Sequence, residues 1–306
     1  MNIGASKTAL LLQEIRAPFL PASAAPVILG SVLAYSHTGV LKWRIFLLAL
    51  LGVQLIHAGA NVANDFFDHL SGNDAVNRTF VRPFTGGSRL IQKGLLSPGE
   101  VLTLSVSCIV LGIFASVWLA FEVGREVLAL GAAGIIGGFF YIAPPVRFGH
   151  RGMGEAIVAL DFGILPVAGA YFVQTGRWSV ESLILSVPVA VLIAGVLFIN
   201  EFQDREADAA VGKRTWVVRL GLRRAAKVHA LLMIGWPTPI FVAVLAGALH
   251  PATLMSLPAL LVSIPAAAVV MRCYKELDKL TAVNILTIMT HLLATLLLSA
   301  GLFFGA

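Results

Sequence analysis

The sequence has little charge and almost no cysteine. Only 12% of its 306 residues are charged and 58% are hydrophobic, whereas soluble domains usually carry about 25% charged residues. A composition so poor in charge excludes an ordinary soluble domain and indicates an integral membrane protein. The two cysteines, Cys108 and Cys273, match no metal-ligand spacing, so we interpret them as packing residues.

Long apolar windows recur along the chain. Each spans about 20 residues, which is enough to cross a hydrocarbon core about 30 Å thick. Because there are nine such windows, the sequence predicts nine transmembrane helices. They lie near 18–37, 44–62, 101–121, 127–143, 156–174, 182–200, 228–248, 253–271 and 283–304.

Lysine and arginine are distributed unevenly between the two sides of this arrangement. If the N-terminus is cytoplasmic, 18 of the 22 basic residues fall on the cytoplasmic side. Because basic loops favour that side, we predict an N-terminus inside and a C-terminus outside, in the cell (inner) membrane. The net charge of +6 then suits anionic lipid heads or an anionic substrate, and not a nucleic acid, since the bases lie in short loops between spans.

Two predicted cytoplasmic loops are longer and more polar than the others. They cover residues 63–99 and 201–227, and an Asn and two Asp residues recur at the helix end that enters each loop. Their spacings of four, seven and eight residues place these side chains on one face of a helix. The two clusters are Asn61, Asp65 and Asp68, with Asp74 as a later acid, and Asn200, Asp204 and Asp208.

Carboxylates held together at a membrane boundary repel one another and require a compensating cation. Mg²⁺ suits them, because it binds one or two carboxylates and completes its shell with water and phosphate oxygens. Two such clusters facing each other across a cavity could therefore hold a diphosphate. The bases in the same loops would neutralise its remaining charge; they are Arg78, Arg82, Arg89, Lys93, Arg205, Lys213 and Arg214.

The motifs NVANDFFDHLSGND and INEFQDREADAAVGKRTWVVRLG resemble the two aspartate-rich motifs of the UbiA superfamily of intramembrane aromatic prenyltransferases. RPFTGGSRLIQKGLLSP (82–98) and YIAPPVRFGHRGMGEAIVALDFGILPVAGAYFVQTG (141–176) extend the likeness over nearly the whole chain, toward the 1,4-dihydroxy-2-naphthoate prenyltransferase (MenA) branch of menaquinone synthesis. The aspartate motifs are specific for the superfamily but only weakly specific for the acceptor.

The resemblance implies one all-α domain over residues 1–306, with nine transmembrane helices around a central cavity and a cytoplasmic cap. It implies Mg²⁺-dependent transfer of a polyprenyl group from its diphosphate to an aromatic acceptor at the bilayer. The implied catalytic residues are Asp65, Asp68, Asp204 and Asp208, which would bind the metal together with Asn61. The resemblance implies Lys213 and Arg214 as diphosphate ligands, and the charge argument above adds Arg78, Arg82 and Lys93.

Five further residues are candidates for the cavity or the acceptor site: Asp74, Asn200, Tyr141, Arg147 and Asp161. The chain also departs from the MenA branch at three positions that we expect near the acceptor. Glu201 and Gln203 replace a common Asn and Arg, and Asp161 stands where an apolar or aromatic residue is expected. The segment from Thr85 to Ser88 could form a backbone nest for phosphate, or only a turn.

Two alternatives remain open from the sequence. The same chemistry could act on another acceptor, such as 4-hydroxybenzoate, homogentisate, a chlorophyllide or a glycerol phosphate. A transporter would also place acids in broken helices, but usually near the bilayer midplane. The acids here lie at one membrane face beside many bases, which favours phosphate chemistry.

Overall fold

A computed structural model describes residues 6–305. Their backbone forms helices joined by turns, with no β-strand between residues 6 and 305. The helices are α1 (Lys7–Glu14), α2 (Pro21–Thr38), α3 (Trp43–Ser71), α4 (Asn73–Val76), α5 (Pro98–Val123), α6 (Glu126–Phe140), α7 (Gly154–Thr175), α8 (Val180–Ala210), α9 (Trp216–Leu220), α10 (Leu222–Leu245), α11 (Pro251–Cys273) and α12 (Leu277–Phe304).

Seven helices of the described chain are long and apolar enough to cross a membrane. They are α3, α5, α7, α8, α10, α11 and α12. An eighth span results if Lys7–Phe19 and Pro21–Thr38, which meet at an angle of 53°, form one bent span. Each predicted window coincides with a helix, but α6 has only 15 residues, so a count of nine full-length spans is not confirmed.

The outer surface of the helix bundle is apolar. Phe121, Leu245 and Leu261 are 89%, 86% and 79% exposed, and many other large hydrophobic side chains are exposed on the same helices. In water such a surface would favour aggregation, whereas lipid tails solvate it. The structure therefore agrees with an integral membrane protein.

Helices α3 and α8 continue well past their apolar windows. The windows end at 62 and 200, but α3 reaches Ser71 and α8 reaches Ala210. Gly72, with φ +77°, then ends α3 in the left-handed conformation that glycine tolerates. The start of each segment predicted as a long loop is thus helical, and the acidic residues lie on rigid helix ends.

Helix α7 contains one turn of π-helix over Leu160–Ile164. At the same level Gly163 packs directly on the backbone of Ala190 in α8, and any side chain at Gly163 would overlap it. A π-turn changes the direction in which its side chains point, and such turns are frequent at functional sites. This contact fixes the position of Asp161, two residues earlier in the same turn.

Candidate active site

The polar ends of α3 and α8 face a common cavity of about 1250 Å³. We call it the polar cavity. Its lining includes Asn61, Asn64 and Asp68 from α3 and Asn200 and Asp204 from α8. The structure therefore brings together side chains from both predicted clusters, although they are more than 130 residues apart in sequence.

Helix α4 and the turn after it tie the two acidic helix ends together. Asn77 donates its side-chain N–H to Asp204 Oδ1 over 2.7 Å. Asn73 donates to Asp208 Oδ1 over 3.0 Å. Both bonds cross from the first cluster's segment to the second, so they set the separation of the two carboxylate groups.

Asp65 lies behind the cavity wall, and both of its carboxylate oxygens have protein partners. Its carboxylate forms an ion pair with Arg16 and accepts a hydrogen bond of 2.7 Å from the Ser88 backbone N–H. Gly86 and Gly87 have φ of +73° and +67°, and this left-handed turn presents the Ser88 N–H to Asp65. Because the Ser88 N–H already donates to Asp65, the segment from Thr85 to Ser88 binds a carboxylate of the protein itself. Its role as a phosphate nest stays a prediction.

Within residues 6–305, Asp68 and Asp208 each have one carboxylate oxygen without a protein partner. Asp68 Oδ1 and Asp208 Oδ2 are buried without a hydrogen bond, although the other oxygen of Asp208 contacts Lys213 Nζ at 3.2 Å. Buried polar atoms normally have partners, and carboxylate oxygens are the ligands that Mg²⁺ prefers. The residues present therefore fit a hard divalent cation.

No three His, Cys, Asp or Glu side chains within residues 6–305 are close enough to hold one metal ion by themselves. A cation at this site would need ligands beyond the carboxylates. That requirement suits Mg²⁺, which commonly keeps waters and binds substrate phosphates.

Asp74 also lines the polar cavity, but from the short helix α4. Its Oδ2 accepts a hydrogen bond of 2.7 Å from Gln92. Burial, together with the negative charge of Asp65, raises the pKa of Asp74 to about 6. Asp74 is thus less readily ionised than an ordinary aspartate.

Two cations, Lys213 and Arg16, line the polar cavity. Burial tends to lower the pKa of Lys213, but the carboxylates of Asp208 and Asp68 outweigh burial and raise the pKa well above its usual range. Lys213 is therefore a permanent positive charge among the acids.

The other predicted diphosphate ligands lie elsewhere. The side chains of Arg78, Arg82, Lys93 and Arg214 are exposed and do not line the cavity. Arg89 donates to the backbone carbonyls of Asp74 and Asn77. A role of the four exposed side chains toward the substrate stays a prediction.

Of the five candidates for the cavity or the acceptor site, four line the polar cavity and one does not. Asp74, Asn200, Tyr141 and Asp161 line the polar cavity. Arg147 does not, because it lies in a separate groove beside Phe67 and His150.

Glu201 and Gln203 are buried and line neither large cavity. Gln203 donates to Asn284 Oδ1 over 3.0 Å, and the Asn284 amide donates to Asn200 Oδ1 over 2.6 Å. Gln203 thus helps to hold Asn200 in place through Asn284. Neither Glu201 nor Gln203 faces the polar cavity, and the expectation that the two residues lie near the acceptor stays a prediction.

A second, apolar cavity of about 840 Å³ adjoins the polar one. We call it the apolar chamber. Its walls come mainly from small and aliphatic residues of α2, α3, α5, α6 and α7. Five residues line both spaces and define what we call the neck: His57, Ala60, Gly138, Asp161 and Phe162.

Comparison with known proteins identifies the family. The model of the UbiA prenyltransferase family matches residues 23–293, which is most of the chain. The chain belongs to the UbiA prenyltransferase family. It is accordingly a prenyltransferase, and the resemblance seen in its aspartate motifs is confirmed.

Several curated relatives of this UbiA prenyltransferase act on naphthoate rings. The 2-carboxy-1,4-naphthoquinone phytyltransferase of Synechocystis sp. is 33% identical over 225 residues, covering 74% of this chain and 70% of the relative. The 1,4-dihydroxy-2-naphthoate octaprenyltransferase of Escherichia coli (strain K12) is 33% identical over 237 residues, covering 75% and 74%.

Solved structures share the fold of this UbiA prenyltransferase. A structure of digeranylgeranylglyceryl phosphate synthase has a TM-score of 0.67 at 18% identity, covering 97% of this chain and 99% of the other. A UbiA homolog from Archaeoglobus fulgidus, bound to GPP and Mg²⁺, has a TM-score of 0.64 at 17% identity, covering 95% and 99%.

Sequence reasoning missed several residues that this UbiA prenyltransferase uses to build the site. The sequence marks Arg16 only as one of many basic residues, yet it pairs with Asp65. Asn73 and Asn77 are spaced four residues apart, a signal that could have marked them as one helix face. Asn284 lies 84 residues from its partner Asn200, and nothing local in the sequence indicates that contact.

Proposed function

We propose that the protein catalyses Mg²⁺-dependent transfer of a polyprenyl group from polyprenyl diphosphate to 1,4-dihydroxy-2-naphthoate, in menaquinone biosynthesis. One observation carries the transfer chemistry: a polar cavity between two acidic helix ends shares the five residues of the neck with an apolar chamber. A polyprenyl diphosphate likewise has two parts, a charged head that suits the polar cavity and a long hydrocarbon tail that suits the apolar chamber. Binding of GPP and Mg²⁺ by a protein of the same fold supports this proposal.

The choice of acceptor follows the relatives. Those from Escherichia coli and Haemophilus influenzae are 1,4-dihydroxy-2-naphthoate octaprenyltransferases, at 33% and 31% identity. The relative from Synechocystis also takes a carboxylated naphthalene ring. A second candidate function keeps the chemistry and changes the acceptor to 4-hydroxybenzoate, homogentisate, a chlorophyllide or a glycerol phosphate; the fold shared with digeranylgeranylglyceryl phosphate synthase favours considering the last.

In this proposal Asp68 and Asp208 would offer their unpaired oxygens to Mg²⁺, and Asn61 and Asp204 would complete the two ligand clusters from the cavity wall. Asp65 would join the first cluster only by giving up its ion pair with Arg16. Mg²⁺ when bound would neutralise charge on the diphosphate and so assist its departure. Lys213 and Arg16 add fixed positive charge on the cavity wall, which stabilises the leaving group further. Arg78, Arg82, Lys93 and Arg214 would guide the diphosphate from the cap surface.

The protein's part in the carbon chemistry is to position and to exclude water. The apolar chamber holds the tail, and hydrocarbon burial contributes about 0.8 kcal/mol per CH₂. The neck, with the ring of Phe162 on its wall, provides an environment in which an allylic cation meets the acceptor ring before it meets water. The electron-rich ring is the nucleophile, so no side chain has to form a covalent intermediate.

We further propose how the chain lies in the membrane. Helix α2 with its N-terminal extension and the short helix α6 would complete nine spans around the cavity in one domain, 1–306. The segments after α3 and α8 would cap it on the cytoplasmic side of the cell (inner) membrane. The N-terminus would be inside and the C-terminus outside, as the bias in basic residues predicts.

The decisive experiment uses the purified protein in lipid nanodiscs with Mg²⁺ and a radiolabelled polyprenyl diphosphate. A panel of acceptors that includes 1,4-dihydroxy-2-naphthoate is offered, and the products are extracted and analysed by mass. We expect a decarboxylated, prenylated naphthoquinol. A prenylated product from another acceptor alone would refute the acceptor but keep the chemistry; no transfer to any acceptor by folded, donor-binding protein would refute the whole proposal.

A further inference from the structure

Asp161 is an acidic residue that lies at the junction of the two cavities. It lies in the neck, where its side chain lines both the polar cavity and the apolar chamber. It follows the first residue of the π-turn in α7. Of the five neck residues, only Asp161 and His57 carry an ionisable side chain.

Neither oxygen of the Asp161 carboxyl group has a partner within residues 6–305, although both are buried. The side chain is seated against Gly137 of α6, where a Cβ atom would overlap it. The glycine therefore makes room for the carboxyl group, and the π-turn turns it toward the neck. A group held so firmly yet left without a hydrogen bond is costly in a protein interior.

The neighbouring groups do not satisfy this carboxyl group either. His57 donates or accepts a hydrogen bond of 2.8 Å with Ser23 through Nδ1, and its ring packs edge-on against Phe162 at 4.6 Å between centroids. The remaining neck residues, Ala60 and Gly138, are apolar. Within the described residues, the carboxyl group of Asp161 is therefore available to a molecule in the neck.

We propose that Asp161 accepts a hydrogen bond from a ring hydroxyl of the acceptor and thereby selects hydroxylated rings and sets their orientation. This inference rests on the proposed function. With the diphosphate at the acidic end and the tail in the apolar chamber, the reactive allylic carbon lies at the neck. The acceptor ring must reach the same place, beside Asp161.

A carboxyl group suits a hydroxyl and disfavours other ring substituents. In either protonation state it accepts a hydrogen bond from a hydroxyl, and in the ionised state it also repels a carboxylate. A ring that carries both groups would be turned so that its hydroxyl meets Asp161 and its carboxylate points away. The hydrogen bond leaves the atoms and electrons of the transfer unchanged; it decides which ring carbon faces the allylic carbon.

A cross-comparison of enzyme variants and acceptor analogues tests this inference. Wild type, Asp161→Leu and Asp161→Asn are assayed with 1,4-dihydroxy-2-naphthoate, 1-hydroxy-2-naphthoate and 4-hydroxy-2-naphthoate, the last two each lacking one hydroxyl. The matched control is Asp278→Leu, the same substitution at an exposed residue outside both cavities. The KM for the donor is measured in parallel.

With wild type, we expect loss of the hydroxyl that meets Asp161 to lower kcat/KM. Asp161→Leu should lower kcat/KM for the dihydroxy acceptor by roughly 5- to 100-fold, because it leaves a buried hydroxyl of the acceptor without a partner. The same variant should no longer distinguish the dihydroxy acceptor from that deoxy analogue beyond their intrinsic reactivity. Asp161→Asn, which keeps an accepting oxygen, should restore part of the discrimination. The donor KM and the control should stay within about twofold of wild type.

Two other results would overturn the inference. If Asp161→Leu lowers kcat/KM by the same factor for all three acceptors, the carboxylate acts on the allylic cation or on the fold, and not on a hydroxyl. If Asp161→Leu is as active as wild type, the residue has no role in the transfer. If wild type prenylates only another phenol, the same comparison of variants is made with that phenol and its deoxy analogue. If folded protein transfers the prenyl group to no acceptor, the proposed function and this inference are refuted together.

Discussion

The two aspartates of the first cluster should respond differently to the same substitution. Asp68 faces the polar cavity, and its Oδ1 has no hydrogen-bond partner within residues 6–305, so Asp68→Asn removes a charge that forms no ion pair there, although it contributes to the field around Lys213. We expect kcat/KM to fall at least roughly 100-fold, since loss of even a supporting metal contact costs 10- to 100-fold. Thermal stability in the absence of Mg²⁺ should not fall.

Asp65 lies behind the cavity wall and stabilises the fold. Its carboxylate pairs with Arg16, and the two side chains are only 4% and 19% exposed. Asp65→Asn keeps an oxygen for the Ser88 N–H but leaves the guanidinium without its anion. Removing one member of a buried pair costs on the order of 3 to 5 kcal/mol, and the partial exposure of Arg16 places our expectation at the lower end, about 3 kcal/mol.

The assay compares both variants with wild type in detergent containing EDTA. Unfolding is followed by the fluorescence of the five tryptophans, and turnover is measured separately after Mg²⁺ is added. We expect Asp65→Asn to lose both activity and several degrees of Tm, and Asp68→Asn to lose activity alone. Equal Tm values for the two variants, or a lower Tm for Asp68→Asn, would refute the division between a cavity-facing and a structural carboxylate.

Three further predictions test the rest of the site. Gly87→Ala places a Cβ 2.7 Å from Asp65 Oδ1 at φ +67°, so it should abolish activity and lower Tm. Gly94→Ala, at φ +66° with nothing within 4 Å of the added Cβ, should cost only backbone strain of about 1 kcal/mol. Similar melting curves for the two variants would contradict the packing argument. EDTA should stop turnover, and Mg²⁺ should restore it and raise Tm in the presence of donor; turnover that ignores chelation would exclude a divalent metal. Asn284→Ala removes the donor to Asn200 Oδ1 at 2.6 Å and should lower kcat/KM several-fold without changing the metal requirement, which a Mg²⁺ titration of initial rates checks.

The placement of the helices follows closely from the sequence. The windows 44–62 and 182–200 lie inside α3 and α8, because burial of apolar side chains in lipid is a local property that each segment has by itself. The polar extensions of both helices were less visible, since hydropathy ends where the asparagines and aspartates begin. The spacing of four residues between asparagine and aspartate in each cluster still indicates one helical face.

The sequence by itself determined the membrane class, the span positions and the two clusters of asparagine and aspartate, because each depends on composition or on a period of a few residues. Only the tertiary structure decided which charges work together. It paired Asp65 with Arg16, joined Asn73 to Asp208, and placed Asp161 where the two cavities meet. These contacts join residues far apart in the chain, so they depend on how whole helices pack, and no local pattern encodes that packing.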